Sequence, residues 1–172
     1  LGIESTALGF MAGFTGKEIA RRLEEDGVTS DFIQIEEGIS RINLKLKSID
    51  GTEINGQGPV IGPTHIEALL QKLDQLQEGD VLVLAGSIPA SMPDDIYRNI
   101  LKRLDGKGIL IAVDATGNLL VNVLEYHPFL VKSNNHELGE IFGVELKDRE
   151  SVIPYAKKMQ EMGATNVLVS MA

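Results

Sequence analysis

The chain has 172 residues, 43% hydrophobic and 24% charged, with a formal net charge of −9, which suits one domain with an ordinary core. So acidic a surface argues against a nucleic-acid partner, the absence of cysteine excludes disulfides and thiolate metal sites, and three scattered histidines leave little for a zinc site. No apolar run approaches the roughly 20 residues that span a bilayer and no charged-then-apolar leader opens the chain, so no membrane partner and a cytoplasmic location are expected.

Ser5 to Met11 reads as a strand, followed by Gly13-Phe14-Thr15-Gly16 and an amphipathic helix from about Lys17 to Glu25 that stops at Gly27. Gly16-Lys17 is not a phosphate loop: Met11 stands at the required earlier glycine, and Glu18 where Ser or Thr must bind Mg²⁺. Gly9, Gly13 and Gly16 also miss the dinucleotide spacing, which removes the fingerprint of a nicotinamide-dependent oxidoreductase. A second strand is expected from Thr29 to Ile35.

From Ser40 to Lys47 the pattern alternates strictly, with Ile42, Leu44 and Leu46 on one face and Arg41, Asn43, Lys45 and Lys47 on the other. Asp50-Gly51 signals a hairpin turn and Thr52 to Asn55 a return strand, giving an antiparallel ribbon in an otherwise α/β chain. Lys45 and Lys47 read as solvated. Arg41 and Asn43 are better suited to a sugar phosphate, because a guanidinium grips phosphate oxygens as a bidentate fork and an amide bonds hydroxyls. The apolar face needs a cover, which a second copy of the protein could supply.

A glycine and proline loop, Gly56-Gln57-Gly58-Pro59 to Gly62-Pro63, precedes a helix expected to be capped by Thr64 with Glu67, His65 being exposed in its first turn. Asp80 to Ala85 has the continuous apolar character of a parallel strand buried on both faces, and it empties into Gly86-Ser87-Ile88-Pro89. A helix with Ile96, Ile100, Leu101 and Leu104 leads to a strand from Ile109 to Val113 ending in Asp114-Ala115-Thr116-Gly117. A further helix leads to Pro128-Phe129-Leu130-Val131, a strand ending in Lys132-Ser133-Asn134-Asn135-His136-Glu137-Leu138, which opens another helix. A helix near Val152 to Met162, started or bent at Pro154, and a strand from Asn166 to Ser170 finish the chain. Because it opens at Leu1 and stops directly after that strand, it is expected to be a central piece of a longer protein.

Right-handed crossovers set the carboxyl ends of parallel strands on one edge, where open α/β sheets bind ligands. Ser87, Asp114, Lys132, Asn134 and Glu137 are therefore expected along one cleft. Taken singly, Ser87 and Asp114 read as turn formers and Asn134 and Glu137 as a helix cap; their joint placement favours a site. Three apart on one turn, Asn134 and Glu137 share a face, where a carboxylate can anchor a hydrated Mg²⁺.

Arg41-Ile42-Asn43-Leu44-Lys45, Gly56-Gln57-Gly58-Pro59, Ala85-Gly86-Ser87-Ile88-Pro89 and Lys132 to Leu138 resemble, in order and spacing and over the whole chain, the ribokinase-like (PfkB) carbohydrate kinases. The resemblance implies a three-layer α/β/α sandwich with a mostly parallel sheet, forming one partial domain over residues 1–172 with a small β lid at about 36–60 inserted. It implies ATP-dependent phosphorylation of a sugar phosphate with Mg²⁺; a homodimer through the lid is one way of covering the apolar face of the ribbon. The likeness is nearest to members that convert fructose 1-phosphate into fructose 1,6-bisphosphate, and next to those that use tagatose 6-phosphate. By resemblance Arg41, Asn43 and Ser87 bind the substrate, Lys132, Asn134 and Glu137 lie by the ATP phosphates, and Glu137 and Asp114 hold Mg²⁺ through water. Ser133 stands where the family usually carries proline. The family's glycine-rich sugar segment is expected before Leu1 and its Gly-Ala-Gly-Asp motif, whose aspartate is the base, beyond Ala172. No catalytic base is therefore assigned within the chain, which is not expected to turn over by itself. A non-catalytic sugar-phosphate binding domain is the alternative that fold alone leaves open.

Overall fold

The computed structural model describes residues 2–46, 52–86 and 88–171. Two compact units are present: Leu1–Lys72 with Pro89–Met92, and Leu73–Ile88 with Pro93–Ala172.

In the first unit the single strand expected at Ser5 to Met11 is two short ones, β1 (Thr6–Ala7) and β2 (Phe10–Ala12), parted at Gly9. Helix α1 (Gly13–Glu25) follows without a loop, earlier than the Lys17 start expected. Gly13 makes that turn possible: its φ is +59°, and a Cβ there would lie 2.6 Å from the Gly38 carbonyl oxygen. Strands β3 (Thr29–Ser30) and β4 (Ile33–Ile35) run parallel to β1 and β2, with Thr6 opposite Thr29 and Phe10 opposite Ile33. Ala12, Ile35 and Ile61 form the buried centre, packed by Phe10, Ile66 and Met92.

Strands β5 (Asn43–Leu46) and β6 (Thr52–Asn55) form the antiparallel ribbon, with Leu44 opposite Ile54 and Lys45 opposite Glu53. Lys47 and the expected Asp50-Gly51 turn lie outside the described residues. Helix α2 (Pro63–Leu73) begins at a proline whose fixed φ suits the first helical position, so Thr64 sits inside the helix rather than capping it. His65 is part of that start, its Nδ1 accepting the Gly62 N–H at 3.2 Å.

The second unit is a wound sheet with its connecting helices: β7 (Val81–Ala85), α3 (Ile96–Leu104), β8 (Leu110–Asp114), α4 (Gly117–Val121), β9 (Leu130–Asn134), α5 (Asn135–Phe142), α6 (Arg149–Glu161) and β10 (Asn166–Ser170). Its four strands are all parallel in the order β10-β9-β8-β7. Ile96, Ile100, Leu101 and Leu104 keep helical period and are all buried, and Leu82, Leu84, Ile111, Val113 and Val131 form the covered face of the sheet. The other face is open: Val81 and Val83, expected inside, are 62% and 63% exposed. An unbroken apolar run lacks the alternation that would have marked this one-sided cover. Helix α6 starts upstream of the expected Val152, in a capping box where Asp148 accepts the Ser151 N–H at 2.7 Å, and Pro154 lies within it. Among the described residues no helix is long and apolar enough to cross a membrane.

Candidate functional site

The register of the second unit brings Asp114, Lys132 and Asn134 to one edge. Ala85, Asp114 and Lys132 are neighbours in adjacent strands, and β9 runs two residues further, to Asn134 opposite Ser170. Lys132 and Asp114 point the same way from adjacent positions, and the Lys132 Nζ donates to Asp114 Oδ1 at 3.2 Å. Both side chains are part-exposed, at 33% and 45%, so the pair contributes only about 0–1 kcal/mol to stability and serves mainly to orient its members.

At Asn134 the chain leaves the sheet and turns into α5. Asn134 Oδ1 accepts the Glu137 N–H at 2.8 Å, and Glu137 Oε2 accepts the Asn134 N–H at 2.7 Å, a reciprocal capping box. The capping role is thus present, and it occupies one carboxylate oxygen; Oε1 takes part in neither bond. The helix is held from below. Leu138 is fully buried, the buried Asn135 donates to the Leu146 carbonyl at 2.7 Å, and a Cβ on Gly139 would meet the Val144 carbonyl oxygen at 2.4 Å. His136 is exposed.

Asp114 and Glu137 are the acidic groups that the resemblance connects with Mg²⁺. Among the described residues no three acidic or histidine side chains gather to hold a metal. Asp114 and Glu137 offer carboxylate oxygens, the donor type through which a hydrated Mg²⁺ would be held.

Tyr97 escaped the sequence analysis. From the first turn of α3 its hydroxyl donates to the Gly86 carbonyl at 3.1 Å, just past the end of β7. Burial, and then the nearby Asp114 charge, push its phenol above the ordinary tyrosine value. A tyrosine in the first turn of a helix that follows a parallel strand was the available signal. Ser87 itself lies outside the described residues.

Arg41 and Asn43 belong to the first unit. Asn43 opens β5 opposite Asn55, on the face that also carries Lys45 and Glu53. Lys45 is neutralised by Glu53 at 2.9 Å, and that hydrogen bond holds the Glu53 carboxyl below its usual range, in keeping with the solvated role read for Lys45. Arg41 is exposed and has no carboxylate partner among the described residues. The opposite face of the ribbon presents Leu44 and Ile54, 49% and 56% exposed.

The chain is similar to known proteins. The chain is 46% identical to 1-phosphofructokinase of Bacillus subtilis over 170 residues, covering 99% of the chain and 56% of that protein. It is 34% identical to D-tagatose-1-phosphate kinase of Bacillus licheniformis, again with 99% and 56% covered. A solved structure of a phosphofructokinase-type protein from Staphylococcus aureus superposes with a TM-score of 0.83 at 40% identity, covering 99% of the chain and 55% of that protein. The chain therefore spans about half the length of the curated relatives it matches, and its mostly parallel α/β fold is ribokinase-like. Residues 1–172 match the model of the pfkB family carbohydrate kinases throughout, and the chain belongs to that family.

Proposed function

We propose that the whole protein carrying this chain transfers the γ-phosphoryl group of ATP to the 6-hydroxyl of fructose 1-phosphate, giving fructose 1,6-bisphosphate and ADP. The observation that supports the reading is the edge at the ends of β8 and β9, where Lys132 pairs with Asp114 and Asn134 with Glu137 caps the next helix, in a chain 46% identical to a 1-phosphofructokinase. Phosphoryl transfer needs positioning and charge neutralisation more than covalent help from the protein, and these are the groups that supply it. Lys132 would meet the ATP phosphates while Asp114 orients its ammonium. Asn134 and Glu137 use two N–H groups in capping each other and so fix the start of α5, whose remaining first-turn N–H groups would meet the same anions. Mg²⁺, held through water by Glu137 Oε1 and Asp114, would neutralise charge on the transferred group. Arg41 would grip the phosphate already on the sugar, with Asn43 and Ser87 at its hydroxyls. No catalytic base is assigned among residues 1–172.

The D-tagatose-1-phosphate kinase relative favours a second acceptor, and it moves the tagatose alternative from the 6-phosphate to the 1-phosphate. The names of both relatives point to a ketohexose with its phosphate at carbon 1, whose 6-hydroxyl is the remaining primary alcohol and the acceptor proposed here. The apolar Leu44 and Ile54 face of the ribbon is the surface through which the protein would dimerise. A cytoplasmic location goes with soluble sugar phosphates and ATP as substrates. The test is ADP release by the whole protein across fructose 1-phosphate, tagatose 1-phosphate, tagatose 6-phosphate and fructose 6-phosphate. Highest kcat/KM with fructose 1-phosphate is expected; no turnover with any of the four would leave only a binding domain.

A further inference from the structure

The residue before Arg41 is built into the start of α1. Ser40 is 7% exposed although it is polar and lies three residues ahead of an exposed ribbon. Its N–H donates to the Ala12 carbonyl at 2.9 Å, and its Oγ accepts the Ala12 N–H at 3.0 Å. The Thr15 hydroxyl donates to its carbonyl at 2.8 Å. Ala12 is the N-cap of α1 and has no side chain able to cap, so an oxygen from 28 positions away does part of that work. The approach is close: a Cβ on Gly16 would lie 3.0 Å from Ser40 Oγ.

The returning strand holds the same point from the other side. Gly56 N–H donates to the Ile42 carbonyl at 3.0 Å, and a Cβ on Gly56 would crowd that oxygen at 2.9 Å. Gly58, at φ +75°, brings its own backbone to where a Cβ would be 3.5 Å from Arg41 Cβ. Residues 40–42 are thus gripped between α1 and the glycines, while Leu44 and Ile54 further along the ribbon are open.

We infer that Ser40 is a positioning residue: it pins the base of the ribbon to the N-terminus of α1 so that the Arg41 side chain leaves from a fixed backbone toward the substrate's phosphate. The inference rests on the proposed sugar-phosphate reaction. A long cationic side chain loses much rotamer freedom when it binds, and a fixed root confines the search to its own torsions. The peptide group that leads into Arg41 is held through the Ser40 carbonyl by Thr15, and the next strand position is held through the Ile42 carbonyl by the Gly56 N–H.

The test compares wild type, Ser40→Ala and Ser40→Thr in the whole protein. In Ser40→Ala the KM for fructose 1-phosphate rises by roughly 3–10-fold, the size of losing one buried neutral hydrogen bond, while kcat and the KM for ATP stay within about twofold. Ser40→Thr, which keeps the hydroxyl, restores the sugar KM; a residue serving stability alone would lower Tm without splitting the two KM values. Amide hydrogen exchange gives a readout free of turnover: Ala12 and residues 41–43 exchange faster in Ser40→Ala, and β7 to β10 do not change. An unchanged sugar KM in an active wild-type background, or unchanged exchange at 41–43, overturns the inference. If wild type phosphorylates no ketohexose phosphate, the reaction reading falls and hydrogen exchange alone decides whether Ser40 pins the ribbon. Should Ser40→Ala not fold, Thr15→Val removes the donor to the Ser40 carbonyl and takes its place in both measurements.

Discussion

Glu137 does two jobs in the proposed enzyme, and two substitutions separate them. Glu137→Gln keeps an oxygen able to accept the Asn134 N–H that now lies 2.7 Å from Oε2, but removes the charge. Glu137→Ala removes both. Loss of the cap acceptor costs about 0.5–2 kcal/mol of stability, whereas loss of charge alone at a helix N-terminus costs about 0.3–1 kcal/mol. At roughly 2–4 °C per kcal/mol, Ala should melt a few degrees below wild type and Gln about a degree or two below it. If Oε1 also steadies hydrated Mg²⁺, both variants should need roughly 10–100-fold more Mg²⁺ for half-maximal velocity, the usual penalty for losing an outer-shell partner. The assay is a Mg²⁺ titration of ADP release at saturating sugar phosphate, beside thermal melts of each variant. A Glu137→Gln protein with the wild-type Mg²⁺ midpoint would refute the metal role and leave Glu137 a helix cap only.

Arg41→Ala should raise the KM for the sugar phosphate by roughly 10–100-fold, the worth of one or two charged hydrogen bonds, with kcat and the KM for ATP nearly unchanged in steady-state kinetics; an unchanged sugar KM would remove Arg41 from the site. Gly139→Ala should destabilise by about 3 kcal/mol or more in urea unfolding, because its Cβ would stand 2.4 Å from the Val144 carbonyl oxygen, and a normal midpoint would mean that the 143–148 loop yields. Glu18 is held down from its ordinary 4.5 to about 2, first by the Arg21 hydrogen bonds and then by Arg22. Its folded value is the lower one, so its contribution to stability is whole above 4.5 and is lost as pH falls toward about 2; carboxylate titration by NMR should show it, and an ordinary midpoint would dismiss the cluster.

What could be read from the sequence was what is local. Asn134 and Glu137 are three apart, and their spacing announced the capping box that the structure contains. The alternation from Arg41 to Leu46 gave the faces of the ribbon, and the apolar runs ending in Asp114 and Lys132 gave neighbouring strand ends. What escaped depends on residues distant in the chain. Ser40 meets Ala12 from 28 positions away and Tyr97 meets Gly86 across a strand-to-helix connection, and periodicity carries no trace of either contact. His65 was read as exposed because its partner, the Gly62 N–H, belongs to the backbone and not to a pattern of side chains. Val81 and Val83 were placed inside because their chemistry is that of a core, although burial depends on which elements lie over them.

That open face has a consequence for how the chain behaves in bulk. Val81, Val83, Leu110 and Leu168 present a greasy plane on a molecule whose net charge is −9. Two forces then compete whenever copies meet: like-charge repulsion, which ions shorten to about 10 Å at 0.1 M, and adhesion between water-shunning surfaces, which ions leave intact. Added salt therefore weakens the repulsion and leaves the adhesion, so light scattering from this chain by itself is expected to rise with ionic strength.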